Sequence, residues 1–257
     1  MALVAICGWA EDLDLGARVL PVPTESRFAQ TNYFVWCGAP VRGTDGGYHL
    51  FYSRWPVSNP HKFAPGWAIH SEIAYAASDK PLGPYRFVNV ALPARGTNTT
   101  TGSKYWDADV THNPNIVLRE GKYLLYYIGN YGDGVYASHR NHDRIGVAVA
   151  DKPEGPWRRL DRPIIDVSDD ATAFDSLCVA NQAAAVRPDG GLLVIYKAVP
   201  IVPGKLMGGN VRYGVALAEK PEGPYLKKTG QVFEAEGAEA KKEWMLADYY
   251  RYRMRLP

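Results

Sequence analysis

The sequence has few features that would cross-link the chain. Its 257 residues include only three cysteines, Cys7, Cys37 and Cys178. They show no paired spacing and cannot all be bridged to one another, so we expect buried thiols or a reducing compartment and no disulfide framework. No metal site is expected either, because His139 and His142 lack a third fixed ligand in the sequence.

An excess of charge of one sign is also lacking. The 29 basic and 27 acidic residues are spread along the chain and leave a formal net charge of +2. A nucleic-acid or membrane partner would call for a basic stripe, so neither is expected. The apolar start of the chain has no positive flank and is followed by acidic residues, which argues against a signal peptide or a membrane span. The expected location is cytoplasmic, with a secreted or periplasmic parent protein left open.

Internal repeats are the strongest feature that is present. A Lys-Pro-x-Gly-Pro-aromatic turn occurs three times, at spacings of 72 and 68 residues. These segments are residues 77–85, 149–157 and 217–225. A Gly-containing turn followed by an alternating, strand-like run recurs with almost the same period. These runs are residues 45–55, 120–130 and 189–199.

The repeats predict an all-β fold, a β-propeller built from four-stranded blades. Four short strands in roughly 70 residues, repeated with little helical periodicity, are typical of propeller blades. We expect one domain over residues 1–257, with blades at approximately 30–95, 100–168 and 170–235. Residues 236–257 are expected to be a fragment of a fourth blade or an irregular tail. Three repeats and a fragment make an incomplete five-bladed propeller, so we expect a truncated chain whose open blade edges are covered in a homo-oligomer.

Candidate catalytic residues lie where the first strand of each blade begins, because these entrances converge on the axis of a propeller. The second entrance carries Asp107, Asp109 and His112, and the third carries Asp175. Asp107 and Asp109 alternate along an extended segment, so at most one of them is expected to face the axis. A fourth entrance would offer Asp248.

Candidate substrate-binding residues lie at the same entrances or in the segments after the second strands. They are Trp36, Arg54, Trp55, His70, Glu72, Asn113, His142 and Lys197. Lys197 is predicted to occupy the position in the third blade that Arg54 occupies in the first. Aromatic faces pack well against the C–H faces of sugar rings, and aromatic residues make up 12% of the chain. The same faces pack equally well in sheets, so aromatic content alone is a weak indication of a sugar ligand. No cofactor is expected, although a structural calcium ion in the axial funnel stays an open expectation.

The Asp-containing entrances, the Gly-Lys-Tyr-x-Leu-Tyr-Tyr run at 121–127 and the Gly-Pro-Tyr/Trp turns resemble the five-bladed propeller glycoside hydrolases of families 43, 62, 32 and 117. The resemblance covers about residues 30 to 248. It implies three carboxylates on separate blades, acting as base or nucleophile, modulator and acid, with a histidine acid in family 117. The first blade departs from the family pattern, because it has Asn32 or residues 36–38 where families 43 and 62 begin with an aspartate.

The resemblance implies a glycosidase acting on plant or algal poly- or oligosaccharides, similar to arabinofuranosidases, xylosidases and galactosidases. Hydrolysis of a glycosidic bond needs one group to protonate the leaving oxygen and a second carboxylate to attack or to activate water. Two other hypotheses stay open. One is a polysaccharide lyase, in which Tyr or His removes a proton while Arg54 or Arg144 neutralises a uronate. The other is a non-catalytic, carbohydrate-binding propeller fragment.

Overall fold

The structure is a computed structural model that describes Val19, residues 21–228 and the backbone of Phe233 and Glu234. Predictions for the chain start and for residues 236–257, including Asp248, lie outside the described residues. Cys37 and Cys178 are buried free thiols, as expected. Cys7 lies outside the described residues.

The described chain forms three antiparallel sheets, each made of strands that follow one another in sequence. The first sheet contains β1 (Tyr33–Arg42), β2 (Tyr48–Pro56), β3 (Glu72–Ser78) and β4 (Arg86–Leu92). The second contains β5 (Val110–Arg119), β6 (Lys122–Asn130), β7 (Arg144–Ala150) and β8 (Arg158–Arg159). The third contains β9 (Cys178–Val186), β10 (Leu192–Val199), β11 (Arg212–Ala218) and β12 (Leu226–Lys227), and β13 (Phe233–Glu234) pairs with β11. Each sheet corresponds to one predicted blade.

Helical structure is confined to short segments. A 3-10 turn spans Thr24–Ser26, α1 spans Trp67–His70 and α2 spans Tyr136–Asn141. Both α-helices lie between the second and third strands of a sheet, in segments where the sequence predicted loops. Within residues 21–228, no helix is long and apolar enough to cross a membrane.

The central strands are apolar on both faces because neighbouring sheets pack face to face. In β6, Leu125 and Tyr127 pack in a core shared with the first sheet, whereas Leu124 and Tyr126 pack in a core shared with the third. A strand buried on both faces needs a near-continuous apolar run instead of alternation. This explains the sequence LLYYI in the middle of β6 and places the second sheet between the other two.

The repeated Pro-Gly turns connect the third and fourth strands of each sheet. Gly83, Gly155 and Gly223 have φ values of 87°, 98° and 89°. This left-handed region is open to glycine at little steric cost, which accounts for the repeated glycine in the motif. The prediction of an all-β fold with four-stranded repeats is therefore confirmed. The described residues do not show a closed propeller, and the number of blades stays a prediction.

Trp106 is held in a slot formed by two glycines on adjacent strands of the second sheet. A Cβ atom built on Gly129 would lie 2.4 Å from Trp106 Cζ3, and one on Gly146 would lie 2.4 Å from Trp106 Cη2. The indole also stacks on Tyr127, with ring centroids 5.4 Å apart. A side chain at either glycine would therefore collide with the Trp106 ring, which covers the start of the second blade.

We predict that Gly146→Ala lowers the free energy of unfolding by about 1–3 kcal/mol, because the added methyl group overpacks the indole slot. Gly47→Ala is the control, since a Cβ there would make only ordinary contacts at 3.4 Å or more. Chemical denaturation of both variants measures the difference. Equal stability of the two variants would contradict the slot.

Candidate active site at the entrance end of the blades

The three first strands meet at a ring of residues that are equivalent in the repeat. Strands β1, β5 and β9 each carry a bulge, and Cys37, Asn113 and Asn181 adopt φ values of 55°, 48° and 47° there. The Cys37 thiol donates to Asn113 Oδ1, and Asn113 Nδ2 donates to Asn181 Oδ1 at 2.7 Å. We call Cys37, Asn113 and Asn181 the axial ring.

Further hydrogen bonds bind Asn113 to its neighbours on both sides. The Asn113 amide donates to Ser53 Oγ at 2.9 Å, and Gln182 Nε2 donates to the Asn113 carbonyl at 2.7 Å. The side-chain oxygens of Asn113 and Asn181 both accept hydrogen bonds within the axial ring. Across residues 21–228, no group of three or more His, Cys, Asp or Glu side chains is placed to hold a metal ion. An axial calcium ion therefore stays a prediction, and no step of the chemistry is built on one.

The segments that link second and third strands meet at the end of the sheets where β1, β5 and β9 begin. We call this end the entrance end, and residues 57–71, 131–143 and 200–211 the entrance loops. Hydrogen bonds join these loops to neighbouring blades: Asn130 Nδ2, at the end of β6, donates to Ala68 O at 3.3 Å, and Arg140 Nη1 donates to Met207 O at 3.0 Å. The predicted convergence of the entrances is therefore seen for three blades.

Asp143 is the buried carboxyl group of the entrance end. The residue is 2% exposed, and its Oδ1 accepts a hydrogen bond of 2.9 Å from Asn130 Nδ2. The Asn130 side-chain oxygen lies 3.0 Å from His139 Nδ1, and His139 Nε2 accepts a hydrogen bond of 3.1 Å from the Gly134 amide. Because Nε2 is an acceptor, His139 is neutral and donates from Nδ1 to Asn130. The amide of Asn130 is thereby oriented toward Asp143.

Burial raises the pKa of Asp143 to about 6. The hydrogen bond from Asn130 and the charges of Lys197, Arg140 and Arg144 act in the opposite direction. Desolvation outweighs them because it disfavours the charged form of the carboxyl group. Asp143 therefore carries a proton for part of the time near neutral pH, which is the property of a general acid.

Asp143 is not among the candidate site residues selected from the sequence. Alignment of the repeats could have drawn attention to Asp143, because it aligns with Ser71 of the preceding blade. The Ser71 carbonyl accepts from the Thr111 amide at 3.1 Å, and the Asp143 carbonyl accepts from the Val179 amide at 3.2 Å. Both positions thus join one blade to the first strand of the next.

His112 is buried at the start of β5 and is neutral. Burial lowers the pKa of His112 to about 3, and the charge of Lys197 acts in the same direction. Its Nδ1 lies 2.8 Å from Ser71 Oγ, and its ring packs against Trp67 with centroids 5.0 Å apart. An imidazole with this pKa is not protonated near pH 7, so it suits hydrogen bonding and positioning better than the acid role predicted from the sequence.

Asp107 is engaged in a buried ionic network. Its carboxylate is 2.7 Å from Arg95 Nε and 3.2 Å from Arg159 Nη1, and it accepts a hydrogen bond of 2.8 Å from the Tyr127 hydroxyl. The residue is fully buried. Asp107 therefore ties the start of the second blade to its central and outer strands.

Asp175 repeats this arrangement in the third blade. Its carboxylate lies 2.6 Å from Lys227 Nζ and accepts from the Tyr196 hydroxyl at 3.1 Å. Phe174 stacks on Tyr196 as Trp106 stacks on Tyr127. The same aspartate–tyrosine–cation unit thus occurs in two consecutive blades, which points to a structural role for both aspartates.

Asp109 differs from both aspartates because 28% of its side chain is exposed. Its Oδ2 accepts from Lys104 Nζ and from the Gly132 amide, each at 2.9 Å. Of the two alternating aspartates, Asp107 points into the protein and Asp109 lies at the surface of the entrance end.

Of the aromatic residues predicted to bind substrate, Trp36 is accessible and Trp55 is not. Trp36 is 49% exposed beside Cys37 of the axial ring, and Phe63 of an entrance loop is 40% exposed at a ring-centroid distance of 5.3 Å. Trp55 is fully buried and donates to Lys62 O. The open aromatic surface is therefore formed by Trp36 and by Phe63, which sequence reasoning did not select.

The remaining predicted binding residues are engaged in contacts of their own. Arg54 pairs with Glu72 at 2.8 Å, His70 Nε2 lies 2.9 Å from His61 Nδ1, and the His142 ring stacks on Tyr131 with centroids 4.5 Å apart. Trp36 and Asn113 lie at the axial ring, and the charge of Lys197 acts on both His112 and Asp143. Lys197 follows Tyr196 as Ser53 follows Tyr52, so its equivalent in the first blade is Ser53, and the predicted match to Arg54 was wrong by one residue.

We predict that Asp107→Asn destabilises the protein by about 3–5 kcal/mol, because Arg95 and Arg159 lose their buried partner. Asp109→Asn should cost less than about 1 kcal/mol, because its ion pair is partly exposed. Thermal and chemical denaturation of the two variants measure this contrast. An Asp107→Asn protein with unchanged stability and lost turnover would contradict the structural role.

We predict that Cys37→Asn keeps the stability of the protein, because asparagine tolerates the left-handed backbone and supplies a side-chain amide to the ring. Cys37→Val should cost about 1–3 kcal/mol, because a β-branched residue is strained at this φ and cannot bond to Asn113. Denaturation curves of both variants give the comparison. Equal losses in both would show that the thiol itself is required.

Comparisons with known proteins agree with this architecture. No protein-family model matches the chain. Xylosidase/arabinosidase 43A of Humicola insolens is 33% identical over 78 residues, which are 27% of this chain and 22% of that protein. A family 117 glycoside hydrolase of Zobellia galactanivorans superposes with a TM-score of 0.61 at 21% identity, over 79% of this chain and 58% of its own.

Two further solved structures show the same likeness. A second glycoside hydrolase gives a TM-score of 0.61 at 19% identity, over 82% of this chain and 60% of its own. Fructan 1-exohydrolase IIa of Cichorium intybus gives 0.56 at 12% identity, over 82% of this chain and 35% of its own. The chain thus spans less than two thirds of each of these relatives. Over the part that it spans, it has the fold of the propeller glycoside hydrolases.

Proposed function

We propose that the protein is a glycoside hydrolase that acts on a plant or algal poly- or oligosaccharide at the entrance end of its blades. Three features support the proposal. They are the propeller hydrolase fold, the convergence of polar side chains from three blades, and an open aromatic surface beside the axial ring. Trp36 and Phe63 offer apolar faces for a sugar ring, and Lys197, whose charge acts on both His112 and Asp143, is assigned to bind hydroxyl groups.

The observation that carries the proposal is the buried carboxyl group of Asp143 with its raised pKa. In hydrolysis, Asp143 donates its proton to the leaving glycosidic oxygen, and a general acid is most effective when its pKa lies near the working pH. Asn130 holds the carboxyl group in place, since its amide is fixed by His139 and Ala68.

The second carboxylate is assigned to Asp109. It is the partly exposed aspartate of the second entrance, and its ion pair with Lys104 fixes it there. In this scheme Asp109 activates the attacking water or attacks the sugar directly, while Asp107 and Asp175 maintain the blades that carry the site. The separation of the two carboxyl groups in the substrate complex would decide between inversion and retention.

We predict that Asp143→Asn lowers kcat/KM by about 10²–10⁴-fold, the usual contribution of a general acid. The loss should be larger for alkyl glycosides than for nitrophenyl glycosides, because a good leaving group needs less protonation. For the unsubstituted protein, kcat/KM should fall as the pH rises above about 6. A screen of arabinofuranosides, xylosides and galactosides supplies the substrate. No release from any of them by a folded protein would contradict the proposal.

The same variant changes the pH dependence of stability. A carboxyl group whose pKa is raised from 3.8 to about 6 stabilises the fold below pH 3.8, and this contribution is lost as the pH rises through 6. Asp143→Asn should therefore gain stability relative to the unsubstituted protein between pH 4 and 7. His112, with its lowered pKa, acts in the opposite direction in both proteins, so the difference between their melting temperatures isolates Asp143. A constant difference would contradict the raised pKa.

A non-catalytic carbohydrate-binding protein is the second candidate. The engagement of Asp107 and Asp175 in ion pairs favours it, because two of the carboxylates predicted to be catalytic serve the fold instead. Under this hypothesis, glycan binding is measurable without turnover and survives in Asp143→Asn. An unsaturated, ultraviolet-absorbing product would instead indicate a lyase.

A further inference from the structure

Two grooves open between neighbouring sheets at the end opposite the entrance, where the Gly-containing hairpin turns lie. The larger groove, of about 670 Å³, lies between the second and third sheets. Its lining includes Arg119, Lys122, Leu124, Val149, Lys152 and Arg158. The smaller groove, of about 430 Å³, lies between the first and second sheets.

The two grooves are related by the repeat but differ in charge. Lys152 and Arg158 of the larger groove correspond to Lys80 and Arg86 of the smaller one. The larger groove has two additional cations, Arg119 and Lys122, where the first repeat has Thr44 and Gly47. The difference is confined to one hairpin, so the cations are not a requirement of the blade fold.

The two grooves therefore differ in the charged residues that line them. The larger groove has four cations and three carboxylates, the latter being Glu120, Asp151 and Glu222. The smaller groove has two cations other than histidine and three carboxylates, which are Asp45, Asp79 and Glu154. An anionic ligand is therefore favoured in the larger groove and disfavoured in the smaller one.

Arg119 has a donor that the protein leaves unused. Its side chain is 15% exposed, its Nη1 donates to Glu219 O at 3.0 Å, and its Nη2 lies 3.4 Å from Glu120 Oε1. Its Nε is buried without a hydrogen-bond partner. Because Nε is closed to solvent, a ligand in the groove would contact Arg119 through the exposed part of its side chain. A carboxylate suits a guanidinium group best, since the two planar groups can form parallel hydrogen bonds.

The floor of the larger groove is apolar. Leu124 and Val149 lie there, and Pro156 and Pro221 flank it from the two blades. Apolar C–H surface below and cations above suit a sugar ring that bears a carboxylate. The volume lies within the range of sites for small organic ligands, which is about 300–1,000 Å³.

We propose that the larger groove is a binding site for an acidic oligosaccharide, with Arg119 contacting the carboxylate of a uronate residue. Lys152 adds attraction to a neighbouring carboxylate, while Lys122 is paired with Asp151 at 2.6 Å. Pro156 and Pro221 pack against the sugar rings, because Leu124 and Val149 below them are buried. The site lies at the end of the sheets remote from Asp143. It therefore requires neither turnover nor a substrate at the entrance end.

Titration with trigalacturonate, followed by calorimetry and by amide NMR shifts, tests the site in the full chain. We expect saturable binding that weakens as salt concentration increases, with shifts at the 119–124 hairpin. Arg119→Thr, which installs the residue of the first repeat, should weaken binding at least about 10-fold. Arg86→Thr, the same substitution at a cation of the smaller groove, should leave affinity unchanged.

Two further measurements keep the outcome clear. Lys152→Ala alters an exposed side chain and should weaken binding about 2–3-fold without affecting the fold. Galactotriose, which has no carboxylate, should bind at least about 10-fold more weakly than trigalacturonate. The proposal is overturned by absent binding at millimolar ligand, by equal affinity for the neutral trisaccharide, or by equal losses in Arg119→Thr and Arg86→Thr. None of these outcomes depends on the proposed hydrolase activity.

Discussion

Three sheets can share an axis only if their first strands are held together without a common backbone ladder. In this protein, side-chain hydrogen bonds among Cys37, Asn113 and Asn181 form one such link, beside the backbone bonds of Thr111 and Val179 to the preceding blades. Each residue sits on a bulge with left-handed backbone, which turns its side chain out of the strand register. The axial ring thereby sets the positions at which the entrances meet. Trp36 is next to the ring in sequence, and His112 and Gln182 are its neighbours on the other strands.

Polar residues of the same type have opposite roles at this end of the fold. Asp107 and Asp175 are surrounded by cations and tyrosine hydroxyls, so their charges are satisfied within their own blades. Asp143 has a neutral amide as its hydrogen-bond donor, and desolvation dominates its pKa. The difference explains why a carboxylate near the entrance is not by itself a catalytic group. A carboxyl group suits proton transfer when it has no cation paired to it and its pKa lies near the working pH.

The fold followed from the sequence much further than the site did. Period-2 patterns and Pro-Gly turns are local, so they predicted the strands of all three sheets and the turns at Gly83, Gly155 and Gly223. The partners of Asp107 are not local, since Arg159 lies 52 residues away and approaches only when the outer strand pairs. The pKa of Asp143 depends on burial by several segments, which no spacing reveals. Asn113 is among the binding residues selected from the sequence. Its hydrogen bond with Cys37 was not predictable, because it depends on bulges in β1 and β5 that the sequence pattern does not show.

The central claim is that Asp143 holds a proton near neutral pH at the entrance end. Carboxyl carbon NMR of protein labelled at aspartate measures this directly, with the resonance assigned by its absence in Asp143→Asn. The account predicts that the Asp143 carboxyl resonance titrates with a pKa of about 6. A resonance that completes its titration below pH 4.5, like that of an ordinary aspartate, would contradict it.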